Sequence, residues 1–220
     1  MKLQTIAALA ATSLAANAAS VVTSYGTVTG ARDGNQAGPM WGQFVTPDTA
    51  ATPAGPHGTL YLQNFSYQAA DNIQGAAGTV YLHAYTTFTT NGSGAIASIG
   101  GFTAVSASTV DLSTVLNNGT LNWTFGGADA FDAATSHIFV MSTSPNEVTI
   151  ADTSSMIGTN FALDLGNPYG GGDAVRGNAA LDSGWDQHFQ ANFDTVAVPE
   201  PASSTLLGLA GLALVLRRRK

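Results

Sequence analysis

Thr120-Leu121-Asn122-Trp123-Thr124-Phe125 alternates polar and large apolar side chains without a slip. Successive side chains of an extended strand point to opposite faces, so Leu121, Trp123 and Phe125 share one face, and that face belongs in a core. Phe161, Leu163 and Leu165 repeat the pattern, as do Phe189, Ala191 and Phe193. Three richer runs, Leu60 to Tyr67, Thr79 to Phe88 and His137 to Met141, read as strands buried on both faces or nearly so. Val21 to Val28, Met40 to Val45 and Ile96 to Ala104 are shorter candidates. The connectors hold turn formers: Asn91-Gly92-Ser93-Gly94, Asn117-Asn118-Gly119 and Gly166 to Gly172. Only Asp129 to Thr135 and Asp111 to Leu116 suit a helical turn. About nine short strands at this spacing predict an all-β fold, a two-sheet β-sandwich.

Composition agrees. The 220 residues are rich in Gly, Ala, Thr, Ser and Asn and poor in the Lys and Glu that helix surfaces draw on. Without the two termini about 180 residues remain, which suits one domain able to bury roughly 70% of its unfolded surface. The chain has no cysteine, so the core must suffice without disulfides. Between Val21 and Pro199, 13 acidic residues stand against Arg32 and Arg176, a net charge of −11. Such a body repels phosphate backbones, so no nucleic-acid partner is expected.

The remaining basic residues lie at the ends. Met1-Lys2, an apolar run from Ile6 to Ala16 and the small residues Ala16-Asn17-Ala18 form a secretory signal peptide, with signal peptidase expected to cut after Ala18. At the other end stand Pro199-Glu200-Pro201, an apolar stretch from Ala202 to Leu216, and Arg217-Arg218-Arg219-Lys220. The prolines hold Glu200 extended, a shape that a protease groove binds. The 15-residue stretch makes about 22 Å of helix against a hydrocarbon core of about 30 Å. That is a marginal transmembrane helix, with the basic cluster kept on the cytoplasmic side. The expected organisation is a signal peptide at 1–18, an exported domain at 19–197 and a C-terminal segment at 198–220.

This three-part tail resembles the PEP-CTERM sorting signal. The resemblance implies recognition by an exosortase, an integral-membrane cysteine protease, and removal of the tail near Pro199-Glu200-Pro201. It implies a transient inner-membrane anchor, then a place at the cell surface or outside the cell, in bacteria that make exopolysaccharide and biofilm. The middle of the chain resembles jelly-roll surface and carbohydrate-binding modules through Thr109 to Ser113, Leu121 to Phe125 and His137 to Val140.

Catalytic patterns are scarce. The nearest approach to a nucleophile elbow, Asn91-Gly92-Ser93-Gly94, has the wrong spacing and reads as a hairpin turn. A glycosidase needs two opposed carboxylates; Glu147 and Asp164 stand at a turn and on a strand. His57, His83, His137 and His188 show no metal spacing. His83, between Tyr81 and Tyr85 on one strand face, either stacks a sugar or packs under a neighbouring loop. Trp41, Tyr169 and Trp185 are candidate glycan-binding aromatics, whereas Trp123 belongs to the core. Asp173, Asp182 and Asp186 beside a glycine run are candidate ligands for a structural calcium; alternatively Arg176 pairs with Asp173 or Asp182. No other cofactor is expected. The Asn-x-Ser/Thr triplets at Asn64, Asn91, Asn118 and Asn122 fit chance in so Asn-, Ser- and Thr-rich a chain. The expected function is a non-catalytic surface or matrix protein with polysaccharide as a candidate partner. The alternatives are a secreted glycan-active enzyme on the same sandwich and a purely structural or adhesive coat protein.

Overall fold

A computed structural model of the chain describes residues 19–26, 42–69, 78–153, 163–165, 169–176, 180–182 and 184–197. The segments expected to be the signal peptide and the sorting tail lie outside the described residues. In chain order the strands are β1 (Ser20–Tyr25), β2 (Gly42–Val45), β3 (Ala51–Thr52), β4 (Thr59–Gln68), β5 (Thr79–Thr90), β6 (Ile96–Val105), β7 (Val110–Asp111), β8 (Thr120–Thr124), β9 (Ala130–Asp132) and β10 (His137–Ser142). They continue as β11 (Leu163–Leu165), β12 (Ala174–Arg176), β13 (Ala180–Asp182), β14 (Trp185–Gln187) and β15 (Phe189–Asp194). Two 3-10 turns, Leu112–Thr114 and Ile150–Thr153, are the only helical elements among the described residues.

Eight of these strands set the architecture. Taken in chain order as β1, β2, β4, β5, β6, β8, β10 and β15, they pair first with last, second with seventh, third with sixth and fourth with fifth. The pattern is one long antiparallel hairpin rolled up, and the β15–β4 and β10–β5 pairings close the roll. One sheet runs β3-β1-β15-β4-β8 and the other β13-β12-β2-β10-β5-β6. This is the connectivity of a jelly roll.

Each sheet turns its alternating apolar residues toward the other. Leu121 and Trp123 of β8 are buried while Thr120, Asn122 and Thr124 are exposed, and β15 repeats this with Phe189, Ala191 and Phe193 inside. Aromatic rings fill the middle: Phe65 stacks on Phe139 at 4.4 Å and on Phe189 at 5.7 Å, with Phe131 stacked beyond Phe139 at 6.1 Å. The polar tips of the core aromatics reach across to the facing sheet. The Tyr67 hydroxyl donates to the Phe139 carbonyl at 3.1 Å, and Trp123 Nε1 donates to the Val80 carbonyl at 3.0 Å. Burial pushes the Tyr67 phenol well above its ordinary pKa, so it stays a donor.

A second apolar cluster lies on the outer face of the β10-containing sheet, where Phe44, Tyr85, Ile138, Val140 and Val175 pack under Val148 and Ile150. Polar groups pin this roof. The Tyr85 hydroxyl donates to the Val148 carbonyl and accepts from its N–H at 2.9 Å, while His83 Nε2 lies 2.9 Å from the Ser144 carbonyl. His83 is therefore buried under a loop, stacked beside Tyr85. The roof is also why every residue of β10 is buried, as the apolar run at His137 to Met141 predicts.

Two expectations need correcting. Ala130–Asp132, inside the expected helical turn, is strand β9 beside β4, because Phe131 points into the core between two exposed neighbours. Leu60 to Tyr67 is not buried on both faces. Its outward residues are half-buried, because no second layer among the described residues covers that sheet. The hairpin turn at Asn91 is as expected: Asn91 Oδ1 accepts from the N–H groups of Ser93 and Ala95 at 3.0 and 3.1 Å.

Candidate functional site

Of the sequence-predicted site residues, Tyr169 and Asp186 come together, and they do so inside the fold. Tyr169 is buried, with its hydroxyl accepting from the Thr46 N–H at 3.0 Å and donating to the Thr46 carbonyl at 2.8 Å. Its ring meets Phe189 edge-on at 5.1 Å, and burial raises its pKa. It closes the core and has no free face for a sugar. Asp186 is buried too: one carboxylate oxygen accepts from Gln43 Nε2 at 3.0 Å and the other from the Tyr169 N–H at 2.9 Å. Both contacts turn N–H donors toward the carboxylate. Gln43 Oε1 accepts from the Gln187 N–H at 2.8 Å, so Asp186 belongs to a buried polar network that ties β14 to β2. Asp173 is half-buried and Asp182 lies on β13. Among the described residues no group of three or more His, Cys, Asp or Glu side chains is placed to hold a metal ion. Trp185 is half-buried on β14, and Trp41 lies outside the described residues.

The exposed face of the β1-β15-β4-β8 sheet brings a different set together. Ser24 of β1 stands opposite Gln190 of β15, Gln190 opposite Ser66 of β4, and Ser66 opposite Asn122 of β8. A second row runs Val22, Asn192, Asn64 and Thr124, and Gln68 faces Thr120 beside them. Directly opposed cross-strand side chains lie within reach of one another, and the amides here are preset by mutual bonds. Gln190 Nε2 donates to Asn192 Oδ1 at 3.1 Å, and Asn192 Nδ2 donates to Asn64 Oδ1. Ser, Thr, Asn and Gln offer both donors and acceptors without charge.

At one end this face sinks into a cleft of about 250 Å3, lined by Ser24, Ser66, Gln68, Thr120 and Gln190, with Tyr25 and His188 at its inner wall. Gly26 also lines the cleft. It sits at φ +127°, and a Cβ there would come within 2.7 Å of the His188 ring. At the opposite end of β1 and β15 the two ends of the sandwich meet. The Thr195 N–H donates to the Ala19 carbonyl at 3.3 Å, and the Ala19 N–H donates to Thr195 Oγ1 at 3.2 Å. Gln190 lies about 13 Å of extended chain from Asp194, so the cleft opens away from the point where the C-terminal tail departs.

Sequence reasoning missed this face, although its signal was present. The polar residues are the alternation partners of the core residues, and Asn64-Phe65-Ser66 and Asn122-Trp123-Thr124 lie side by side in antiparallel register. Two triplets that read as accidents of composition are opposed halves of one surface.

Residues 197–220 match the family model of the PEP-CTERM protein-sorting motif. The chain carries a PEP-CTERM sorting signal. That signal marks it for export, for processing by an exosortase and for sorting to the cell surface. No curated protein and no solved structure matches the chain, so the jelly-roll assignment rests on strand order alone.

Proposed function

We propose that the sandwich is a non-catalytic binding module of the cell surface or the exopolysaccharide matrix, and that its ligand is polysaccharide held on the exposed face of the β1-β15-β4-β8 sheet. The observation that carries this reading is the register of uncharged amides and hydroxyls across four neighbouring strands, opening into a cleft. Sugars present hydroxyls in both donor and acceptor roles, which amide and hydroxyl side chains match. The sorting signal supports the setting, since it delivers the module to where such polymers are. The non-catalytic part is supported by four acidic groups that other residues of the fold engage. Asp48 is engaged by His57 at 2.7 Å, Asp111 by Ser113, Asp132 by the Ala134 N–H, and Asp186 by Gln43 and Tyr169.

The strands and both apolar clusters fall within 19–197, so that segment is the material for the test. Purified sandwich is pulled down with the host's own exopolysaccharide and with a panel of neutral and acidic glycans. Saturable binding that is lost in the Asn64→Ala, Gln190→Ala double variant is expected. Absence of binding to every glycan would overturn the reading and favour a structural coat.

A further inference from the structure

A second depression, of about 440 Å3, lies beside the first on the far side of β8. Asp111, Val115, Leu116 and Asn122 line it, and Thr120 lines both depressions. Together the residues that line them span four paired strands from Ser24 on β1 to Asn122 on β8, about 14 Å at the usual strand spacing, and continue onto the turn at Leu116.

The two parts differ chemically. The first is polar-rimmed, whereas the second offers apolar surface at Val115 and at Leu116, which is 77% exposed. So large an apolar side chain standing in water, at the rim of a depression, is available surface for a ligand. A pyranose ring has apolar C–H faces as well as a polar hydroxyl edge, so alternating polar and apolar contacts suit successive sugars of one chain. Among the described residues no Lys or Arg lines either depression, and the one carboxylate, Asp111, accepts from the Ser113 N–H and hydroxyl at 3.0 and 2.7 Å. A polyanion would find no lysine or arginine counter-charge there, on a body that itself carries −11.

We infer that the two depressions are consecutive subsites of one groove, joined at Thr120, and that the groove takes an extended run of an uncharged polysaccharide rather than a single sugar or an acidic polymer. This rests on the polysaccharide-binding reading above and adds the length and charge of the ligand. Because the strand spacing is close to the advance of one pyranose in an extended β-linked chain, a chain crossing the strands sets successive rings over successive strands.

The test is calorimetric titration of the exported protein, recovered after processing by its host, with β-1,3- and β-1,4-linked glucose oligomers from disaccharide to hexasaccharide, and with an oligogalacturonate of matched length. Affinity for one neutral series should rise about tenfold with length, and the oligogalacturonate should bind at least tenfold more weakly than the hexasaccharide. The Leu116→Ala variant, at an exposed position that lines only the second depression, should keep its melting temperature and its disaccharide affinity while losing the gain with length. A length-independent affinity, or a gain that survives Leu116→Ala, overturns the two-subsite groove. Tight binding of oligogalacturonate overturns the uncharged ligand. Either result leaves the polysaccharide reading standing, whereas failure of all glycans, the host's polymer included, removes that reading itself.

Discussion

The two sheets of this sandwich follow one sequence code and end in opposite conditions. In the β10-containing sheet, apolar residues occupy both faces of β10, and the Ser144–Ile150 segment roofs the outer one, so that Tyr85 and His83 are internal. In the β15-containing sheet the alternation is clean, and the outward residues of β8 and β15 are Thr, Asn, Gln or Asp with nothing described above them. Under the roof the β10-containing sheet is closed on both sides, whereas β6 and the end of β5 stand exposed beyond it. The open sheet, held rigid by its partner, is free to carry function. Location makes the same division, because the open face sinks into the cleft at the end remote from the departing tail.

The sharpest way to break this comparison uses neighbouring residues of one strand. Trp123→Ala removes a fully buried ring and leaves the Val80 carbonyl without its donor, and a loss of about 3–5 kcal/mol is expected in a denaturant titration. Asn122→Ala, one residue earlier on the exposed side, should change stability by no more than about 0.5 kcal/mol. Comparable losses at both positions would mean that the outer face is structural.

The roof gives the next effect. Tyr85→Phe keeps the ring and removes both hydrogen bonds to Val148, costing about 1–2 kcal/mol and speeding amide exchange around Val148 while glycan binding stays unchanged. A smaller, pH-dependent effect separates the two states of the buried histidines. Desolvation lowers the pKa of His83 and of His137 below the usual 6.5, outweighing their hydrogen bonds to the Ser144 and Asp132 carbonyls. The unfolded chain then binds more protons just below about pH 6.5. The contribution of these residues is whole above that pH and falls as pH drops toward the folded-state values. Unfolding free energies measured on either side of that pH should show the decline, and His83→Gln should reduce its slope. The smallest expected effect is at Trp185, which lies on β14 and lines neither depression. Trp185→Ala should leave glycan retention as it is, and a loss there would move the site off the β1-β15-β4-β8 face.

Fold class was legible because alternation is a local signal: Leu121, Trp123 and Phe125 need no knowledge of their partners to declare a buried face. The burial of Leu60 to Tyr67 was not, because whether an outer face is covered depends on a distant segment. Val148 roofs one sheet, and no described segment roofs the other. The site was least legible. Tyr169 and Asp186 look like surface groups in a glycine-rich stretch, yet Gln43 and Thr46, more than 100 positions away, hold them inside. The amide rows exist only once four strands are placed side by side, and no single strand announces them. The C-terminal signal was the easiest to read, since its three parts are contiguous in sequence.

The most direct test of the working-face claim is to follow backbone amide resonances of residues 19–197 while cellohexaose and laminarihexaose are titrated in. Shifts concentrated on β1, β15, β4 and β8 around Ser24, Gln190, Ser66 and Asn122, with β10 and the Ser144–Ile150 roof silent, are the predicted result. Shifts centred on the roof, or none with either hexasaccharide, would contradict it.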